Sequence, residues 1–288
     1  MSAIIPKIIH YVWCGPRPMP KAHRAFVEGW KRMLPGWTFM EWNDATIDFS
    51  SNWLCSAYVA RKFNVVSDFV RMQVLLRHGG VYLDTDVELL KPLDPLLTEP
   101  AFLGIQTTGP SLDWLNGTVI GAPPGHRLIE RVLDYLEHAM VPTWNYDAFT
   151  GPGLLTQTVL RERLAPEPMR DVLQRHPELT LFPTRWFYPY PWDGTYDPSC
   201  VTPDTVAVHH WEASWSGKGP KTLTSADLWR LRYANRLPRL GMALQRRAFI
   251  RARGRSRHRG QGVMRRRVEP GKRDFTTAKR AGRRAVDG

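Results

Sequence analysis

The chain has 288 residues, of which 43% are hydrophobic, with 12 Trp. That supports one large packed domain, while the lack of any apolar run of about 18 residues argues against a membrane-spanning helix. The formal charge of +13 is carried by one segment, because residues 246–288 hold 16 Lys+Arg against 3 Asp+Glu and leave 24 of each kind elsewhere. Three scattered cysteines give neither a disulfide framework nor a zinc spacing and suit a reducing, cytoplasmic setting.

In chain order, IIPKIIHYVW (residues 4–13) reads as a strand, without the basic leader and small-residue cleavage site of a signal peptide. GPRPMP breaks it, and a helix follows over residues 21–33. PGWTFMEWND gives a turn and a second strand. Helices are expected at residues 54–63 and 67–78. The latter has Ser67 as N-cap, Asp68 in its first turn, and Gly79 and Gly80 ending it in the left-handed conformation. VYLD is then a short buried strand. AFLGIQ and LNGTVIGAP read as strands, residues 125–139 as a helix, and TGPGLLTQTVLRERL as a Gly/Pro loop feeding another helix. FPTRWFYPYPW is too rich in proline for a central strand. TVAVHHWEASW reads as a strand that breaks into a polar-aromatic loop, and residues 225–245 as a final helix.

This alternation implies an α/β domain over residues 1–245, with a Rossmann-like, mostly parallel central sheet flanked by helices. Residues 246–288 lack apolar periodicity and are expected to form a disordered basic tail. Such a tail either serves solubility or draws the protein to an anionic membrane surface, at about 1 kcal/mol per basic residue. Nothing in the body supports a nucleic-acid partner.

Two aspartates, Asp84 and Asp86, close the apolar run RHGGVYLDTDVELLKPL. On a strand with a period of two their side chains point the same way. Ligands bind beyond the carboxyl ends of strands in open α/β sheets. Two ionised carboxylates this close repel, and a divalent cation removes that penalty. Oxygen ligation favours Mg²⁺ or Mn²⁺, shared with phosphate oxygens. A lone Asp-x-Asp arises by chance about once in a chain of this length. The neighbourhood adds weight, because Asp68 and Arg71 share one helix face and the glycines turn that helix into the aspartate strand. The bland reading of Asp68 and Arg71 is a surface ion pair. In VHHWEASW a strand-end histidine offers a third metal ligand, and His210 is favoured over His209 on the ground that a strand buries one of two neighbours. Asn116, within an apolar stretch, needs partners. Either a donor sugar or a side-chain-to-backbone turn supplies them. RWFYPYPW offers aromatic faces to an acceptor sugar or, equally, packing beneath the sheet.

Taken in order, IPKIIHYVWCG, SDFVRMQVLLRHGGVYLDTDVELLKPL, LNGTVIGAPPGH, TGPGLLT and HHWEASW resemble glycosyltransferase family 32, the group with a DXD-containing sugar-binding region. The likeness spans roughly residues 4–216, and the tail matches nothing comparable. The resemblance implies a GT-A fold, a nucleotide-sugar donor, a Mn²⁺ or Mg²⁺ cofactor, a glycan or lipid-linked acceptor, and retention of anomeric configuration. It implies that Asp84 and Asp86 hold the metal and the donor diphosphate, and that Asp68 and Arg71 bind donor-sugar hydroxyls. Trp13 would stack on the base, and Ser214 and Trp215 would close over the diphosphate. Two alternatives use the same residues: a metal-dependent phosphohydrolase or nucleotidyltransferase, and an inactive glycan-binding module.

Overall fold

The computed structural model describes residues 4–107, 113–138, 151–165 and 170–212. The expected helix at residues 225–245 and the basic tail lie outside the described residues.

The first elements are β1 (Ile8–Val12), α1 (Lys21–Met33), β2 (Thr38–Trp42), α2 (Asn52–Val59) and α3 (Phe63–His78). β3 (Gly80–Leu83), β4 (Val87–Leu89), β5 (Phe102–Thr107) and β6 (Asp113–Ala122) follow. The remainder is α4 (Arg127–His138), α5 (Gly151–Arg161), β7 (Gln174–His176), β8 (Leu179–Phe182) and β9 (Ala207–His209).

Seven strands form one sheet in the order β2-β1-β3-β6-β5-β8-β7. β1 pairs in parallel with β2 and β3, and β5 with β8, whereas β6 opposes both β3 and β5, and β7 opposes β8. Five strands therefore share a direction and two oppose it, which is the mostly parallel α/β sheet expected. β4 and β9 form a separate antiparallel pair.

Alternation along the strands sorts side chains to two cores, one on each face of the sheet. Tyr82, Leu103, Ile105 and Leu181 join α2, α3, α4 and α5 on one face. Ile9, Val81, Leu83, Phe102 and Phe182 join α1 on the other. α1 turns His23, Val27 and Trp30 inward as a single stripe. The Trp30 indole N–H donates to the Val87 carbonyl at 2.8 Å, tying α1 to β4.

Three expectations are adjusted. α3 begins at Phe63, one turn before Ser67, whose hydroxyl lies 2.7 Å from the Tyr82 hydroxyl instead of capping the helix. α2 is displaced toward the N-terminus of its expected span, where Ser51 caps it by accepting the Leu54 N–H. β8 stops at Phe182, immediately before Pro183, and the aromatic run beyond it buries Phe187 and Tyr188 completely. Packing beneath the sheet is thus the role those two rings take.

Gly79 and Gly80 have φ of 61° and 103°. A Cβ on Gly80 would stand 2.6 Å from the Ile8 carbonyl oxygen, so only glycine lets β3 lie this close to β1. His10 seals the same corner, with Nε2 donating to the Gly79 carbonyl at 2.8 Å and Nδ1 accepting the Trp42 indole N–H at 3.1 Å.

Burial lowers the His10 pKa from 6.5 to about 4, the Gly79 bond opposing and His78 assisting. Between those values the unfolded chain binds the proton more tightly than the folded one. Folding stability from this group is thus fully present above about pH 6.5 and is lost as pH falls toward about 4. Urea midpoints measured across that window are expected to fall with acidity, and His10→Gln, which keeps a donor for Gly79, is expected to flatten the decline.

Candidate metal centre

The two aspartates do not sit on a strand. β3 ends at Leu83 and β4 begins at Val87. The residues between them form a turn closed by the Val87 N–H donating to the Asp84 carbonyl at 3.1 Å. The two-residue strand period therefore does not explain why the carboxylates converge, and the turn does. One side of it is pinned to the large sheet, where the Asp84 N–H donates to the Thr118 carbonyl at 2.9 Å. The other is pinned to the small sheet, where the His210 N–H donates to the Asp86 carbonyl at 3.0 Å.

The Asp84 side chain meets α3. Arg71 Nη2 lies 3.0 Å from Asp84 Oδ1 and 3.2 Å from Asp68 Oδ1, so one guanidinium serves both carboxylates. Tyr82 donates its hydroxyl to the same Asp84 oxygen at 2.7 Å and lies under the guanidinium, 4.6 Å from ring centroid to Arg71 Cζ. Arg71 is buried. Burial disfavours its charge, but Asp84 first, then Tyr82 and Asp68, outweigh it and raise its pKa above the ordinary value. Ser67 extends the chain of hydroxyls behind Tyr82. The i, i+3 pair, whose bland reading is a surface contact, is thus part of a bridge between α3 and the aspartate turn built on a buried guanidinium.

The Asp86 side chain meets the small sheet. Its Oδ1 lies 3.3 Å from His209 Nε2, and its Oδ2 accepts the Glu212 N–H at 3.0 Å. Burial raises the Asp86 pKa, and the His209 charge, the His209 bond and the Glu212 N–H together overcome it and bring the value down to about 2. Behind this pair stands His23 of α1, buried, with Nδ1 2.7 Å from Thr85 Oγ1 and Nε2 2.7 Å from Glu212 Oε2.

Asp84, Asp86 and His209 each bring a donor atom to within 4.8 Å of the others. Two carboxylates and one imidazole make a donor set for a divalent cation, and the imidazole nitrogen that faces Asp86 is Nε2. These residues fit a divalent cation. The histidine differs from the one favoured by sequence. In the β4–β9 register His209 lies opposite Val87, next to Asp86. His210 turns to the other side, with Nε2 2.9 Å from Glu88 Oε2 and its ring stacked on Phe26 at 5.0 Å.

Trp13 follows the end of β1 and is half-buried. Its indole N–H donates to the Arg17 carbonyl at 2.8 Å, and its ring meets His23 edge-on at 5.4 Å, so it lies beside the aspartate turn. Asn116 uses its amide internally: Nδ2 donates to Gln106 Oε1 at 2.6 Å and Oδ1 accepts the Thr118 N–H at 2.9 Å. Of its two readings, the side-chain-to-backbone turn is the one formed here. α5 starts at Gly151, where a Cβ would stand 3.5 Å from Asp68 Oδ2, so the Gly/Pro segment brings a helix start beside Asp68. Ser214 and Trp215 lie outside the described residues. Sequence reasoning missed Tyr82, His23, Thr85 and Glu212. Tyr82 carried a signal, being two residues before Asp84 at the end of the apolar run, whereas His23 read as one more residue of an amphipathic helix.

The family described as glycosyltransferase sugar-binding region containing DXD motif matches residues 20–103. The chain is similar to inositol phosphoceramide mannosyltransferase 1 of Schizosaccharomyces pombe, 28% identical over 58% of this chain and 55% of that protein. It is also similar to lactosylceramide 4-alpha-galactosyltransferase of Rattus norvegicus, 30% identical over 53% of this chain and 42% of that protein. The chain thus spans about half the length of these curated relatives. Among solved structures, the PaToxG glycosyltransferase aligns with a TM-score of 0.47 at 18% identity, over 56% of this chain and 70% of the other. The family expected from the motifs is the family these comparisons return.

Removing Arg71 would leave Asp68 and Asp84 without their shared cation. Arg71→Met is expected to cost about 3 kcal/mol in urea unfolding. Arg71→Lys is expected to fall between the two, since a point charge cannot reproduce the fork.

Proposed function

We propose that this chain, which carries the DXD-containing sugar-binding region of the glycosyltransferases, moves a hexose from a nucleotide-diphosphate sugar to a glycan or lipid-linked acceptor with retention. The observation that carries this reading is the convergence of Asp84, Asp86 and His209 where the two sheets meet. The names of the two relatives pair sugar transfer with ceramide-based acceptors, which supports a lipid-linked one.

Asp84, Asp86 and His209 would hold Mn²⁺ or Mg²⁺. When bound, that cation supplies Lewis-acid stabilisation of the charge on the departing nucleoside diphosphate. Asp84 has one oxygen engaged by Arg71 and Tyr82, which fixes the carboxylate and offers the other oxygen to the donor side. Asp68 and Arg71 bind the hydroxyls of the donor sugar, and Trp13 stacks on the base, a contact worth about 1–3 kcal/mol. Transfer proceeds on the front face. The bond from the acceptor oxygen to the anomeric carbon forms on the side from which the phosphate oxygen leaves. The acceptor proton passes to the departing diphosphate.

A phosphohydrolase or nucleotidyltransferase would draw on further acidic ligands. The described residues give one cluster of metal-binding type, the same three groups.

Residues 246–288, with 16 Lys+Arg, would draw the enzyme to anionic lipid and so to a lipid-linked acceptor. No helix among the described residues is long and apolar enough to cross a membrane.

Asp86→Asn is expected to abolish donor hydrolysis and sugar transfer while circular dichroism stays native, and near-normal turnover would refute the metal role. In Mn²⁺ titrations of donor hydrolysis, His209→Ala is expected to raise the half-saturating concentration about 10-fold or more. His210→Ala is expected to leave it nearly unchanged, and the reverse result would restore His210 as ligand. For the tail, replacing Arg265, Arg266 and Arg267 together by Gln is expected to weaken binding to anionic vesicles about tenfold or more. Unchanged binding would leave only a solubility role.

A further inference from the structure

His23 is a buried polar group outside the proposed ligand set. It lies on the inward stripe of α1 beside Val27 and Trp30, where an apolar residue would serve packing alone. It is 1% exposed, and both ring nitrogens are engaged at 2.7 Å. Glu212, a carboxylate, can only accept, so Nε2 carries the hydrogen and donates to it. In the neutral imidazole Nδ1 then accepts the Thr85 hydroxyl. Both contacts lead to the metal centre from opposite sides. Thr85 is the residue between the two aspartates, at the apex of the turn. Glu212 supplies, through its backbone N–H, the bond to Asp86 Oδ2.

The backbone at this point is arranged for those contacts. Trp211 adopts φ of 53°, a left-handed conformation rare for a bulky residue. It lies two residues beyond the end of β9. The N–H of residue 212 then faces Asp86 and its carboxylate faces His23. A strained residue at a site is expected where surrounding bonds over-determine it.

We propose that His23 is a positioning residue of the metal centre. It clamps Thr85 to Glu212, and so fixes the aspartate turn and the N–H that orients Asp86, without touching the metal or the donor. This rests on the reading of Asp84, Asp86 and His209 as metal ligands. Groups that orient ligands commonly change metal affinity about 10- to 100-fold when removed. A residue with a packing role alone would change folding stability and leave affinity in the folded fraction unaltered.

The test is Mn²⁺ binding to the full chain without donor, read as loss of the free-ion signal in electron paramagnetic resonance, on proteins with native circular dichroism. His23→Ala is expected to raise the Mn²⁺ dissociation constant about 10-fold or more. Glu212→Ala is expected to do the same, and the double variant to be no worse than either single one, because both break one clamp. His23→Gln, which keeps one donor, is expected to recover part of the loss. Should His23→Ala fail to fold, Thr85→Val breaks the other contact and carries the same expectation. Asp86→Asn serves as reference. Wild-type binding that is lost in Asp86→Asn but unchanged in the His23, Thr85 and Glu212 variants would overturn the positioning role alone. A wild-type chain that binds no Mn²⁺, or binds it as well after Asp86→Asn, would overturn the metal reading and this inference with it.

Discussion

Two carboxylates one residue apart must be held against their own repulsion, and the structure is organised around how that is done. Asp84 is met by a buried arginine from α3 and a phenol from β3, the strand before it. Asp86 is met by a histidine from β9 and a backbone N–H just beyond it. The compensating groups come from different elements on opposite sides of the turn, so neither carboxylate depends on the partner of the other. Each partner carries positive charge or donates a hydrogen, and both aspartates stay acceptors. A cation arriving here meets carboxylates already oriented, with much of their desolvation cost met during folding. The turn also joins two sheets. Movement of the small sheet relative to the large one would pull the carboxylates apart, so carboxylate spacing and sheet packing are the same constraint.

Arg71 illustrates how far such a requirement reaches. A guanidinium this buried needs space as well as anions. The space comes from an irregularity in β6, where the register with β5 jumps so that Leu103 pairs with Ile120 but Gly104 with Asn116. The displaced segment includes Gly117, at which a Cβ would stand 2.8 Å from Arg71 Nη1. Asn116 closes the irregularity by taking up the Thr118 N–H and bonding Gln106. Its burial, for which the sequence offered a donor sugar or a local turn alike, accompanies here an interrupted ladder that needs its own hydrogen bonds completed.

What the sequence revealed, and what it hid, follows from the range of each interaction. α1 was legible to its ends because its apolar stripe and the proline run before it are local. The Asp68–Arg71 pair and the aspartate pair were legible because each lies within a few residues of sequence, although a turn and not a strand period makes the carboxylates converge. β4 and β7 are three residues each, too short to show any period, and they form because a partner strand is present. The choice between His209 and His210 was undecidable locally. Adjacent residues of a strand face opposite sides, and only the register against β4 determines which side holds Asp86. Ser67 looked like a cap because capping is the local use of a serine at that place, but Tyr82 offered it a longer-range partner. His23 gave no signal, since its two partners are 62 and 189 residues away.

The left-handed residues separate structural from functional strain. Among the described residues, Arg61, Arg163 and Trp211 are the non-glycine residues with positive φ. Arg61 and Arg163 follow the C-termini of α2 and α5, where a left-handed residue closes the helix by satisfying its last carbonyls, as the N–H of each does at 3.0 and 3.1 Å. Trp211 ends no helix. Its conformation costs on the order of 1–3 kcal/mol, and its local compensation is packing: the ring lies 4.1 Å from that of His209, and its indole N–H donates to the Tyr190 carbonyl at 3.1 Å. The same left-handed residue precedes Glu212, whose N–H meets Asp86 and whose carboxylate meets His23. Trp211 thus serves two sets of contacts at once, the packing of its own ring and the two bonds of its neighbour.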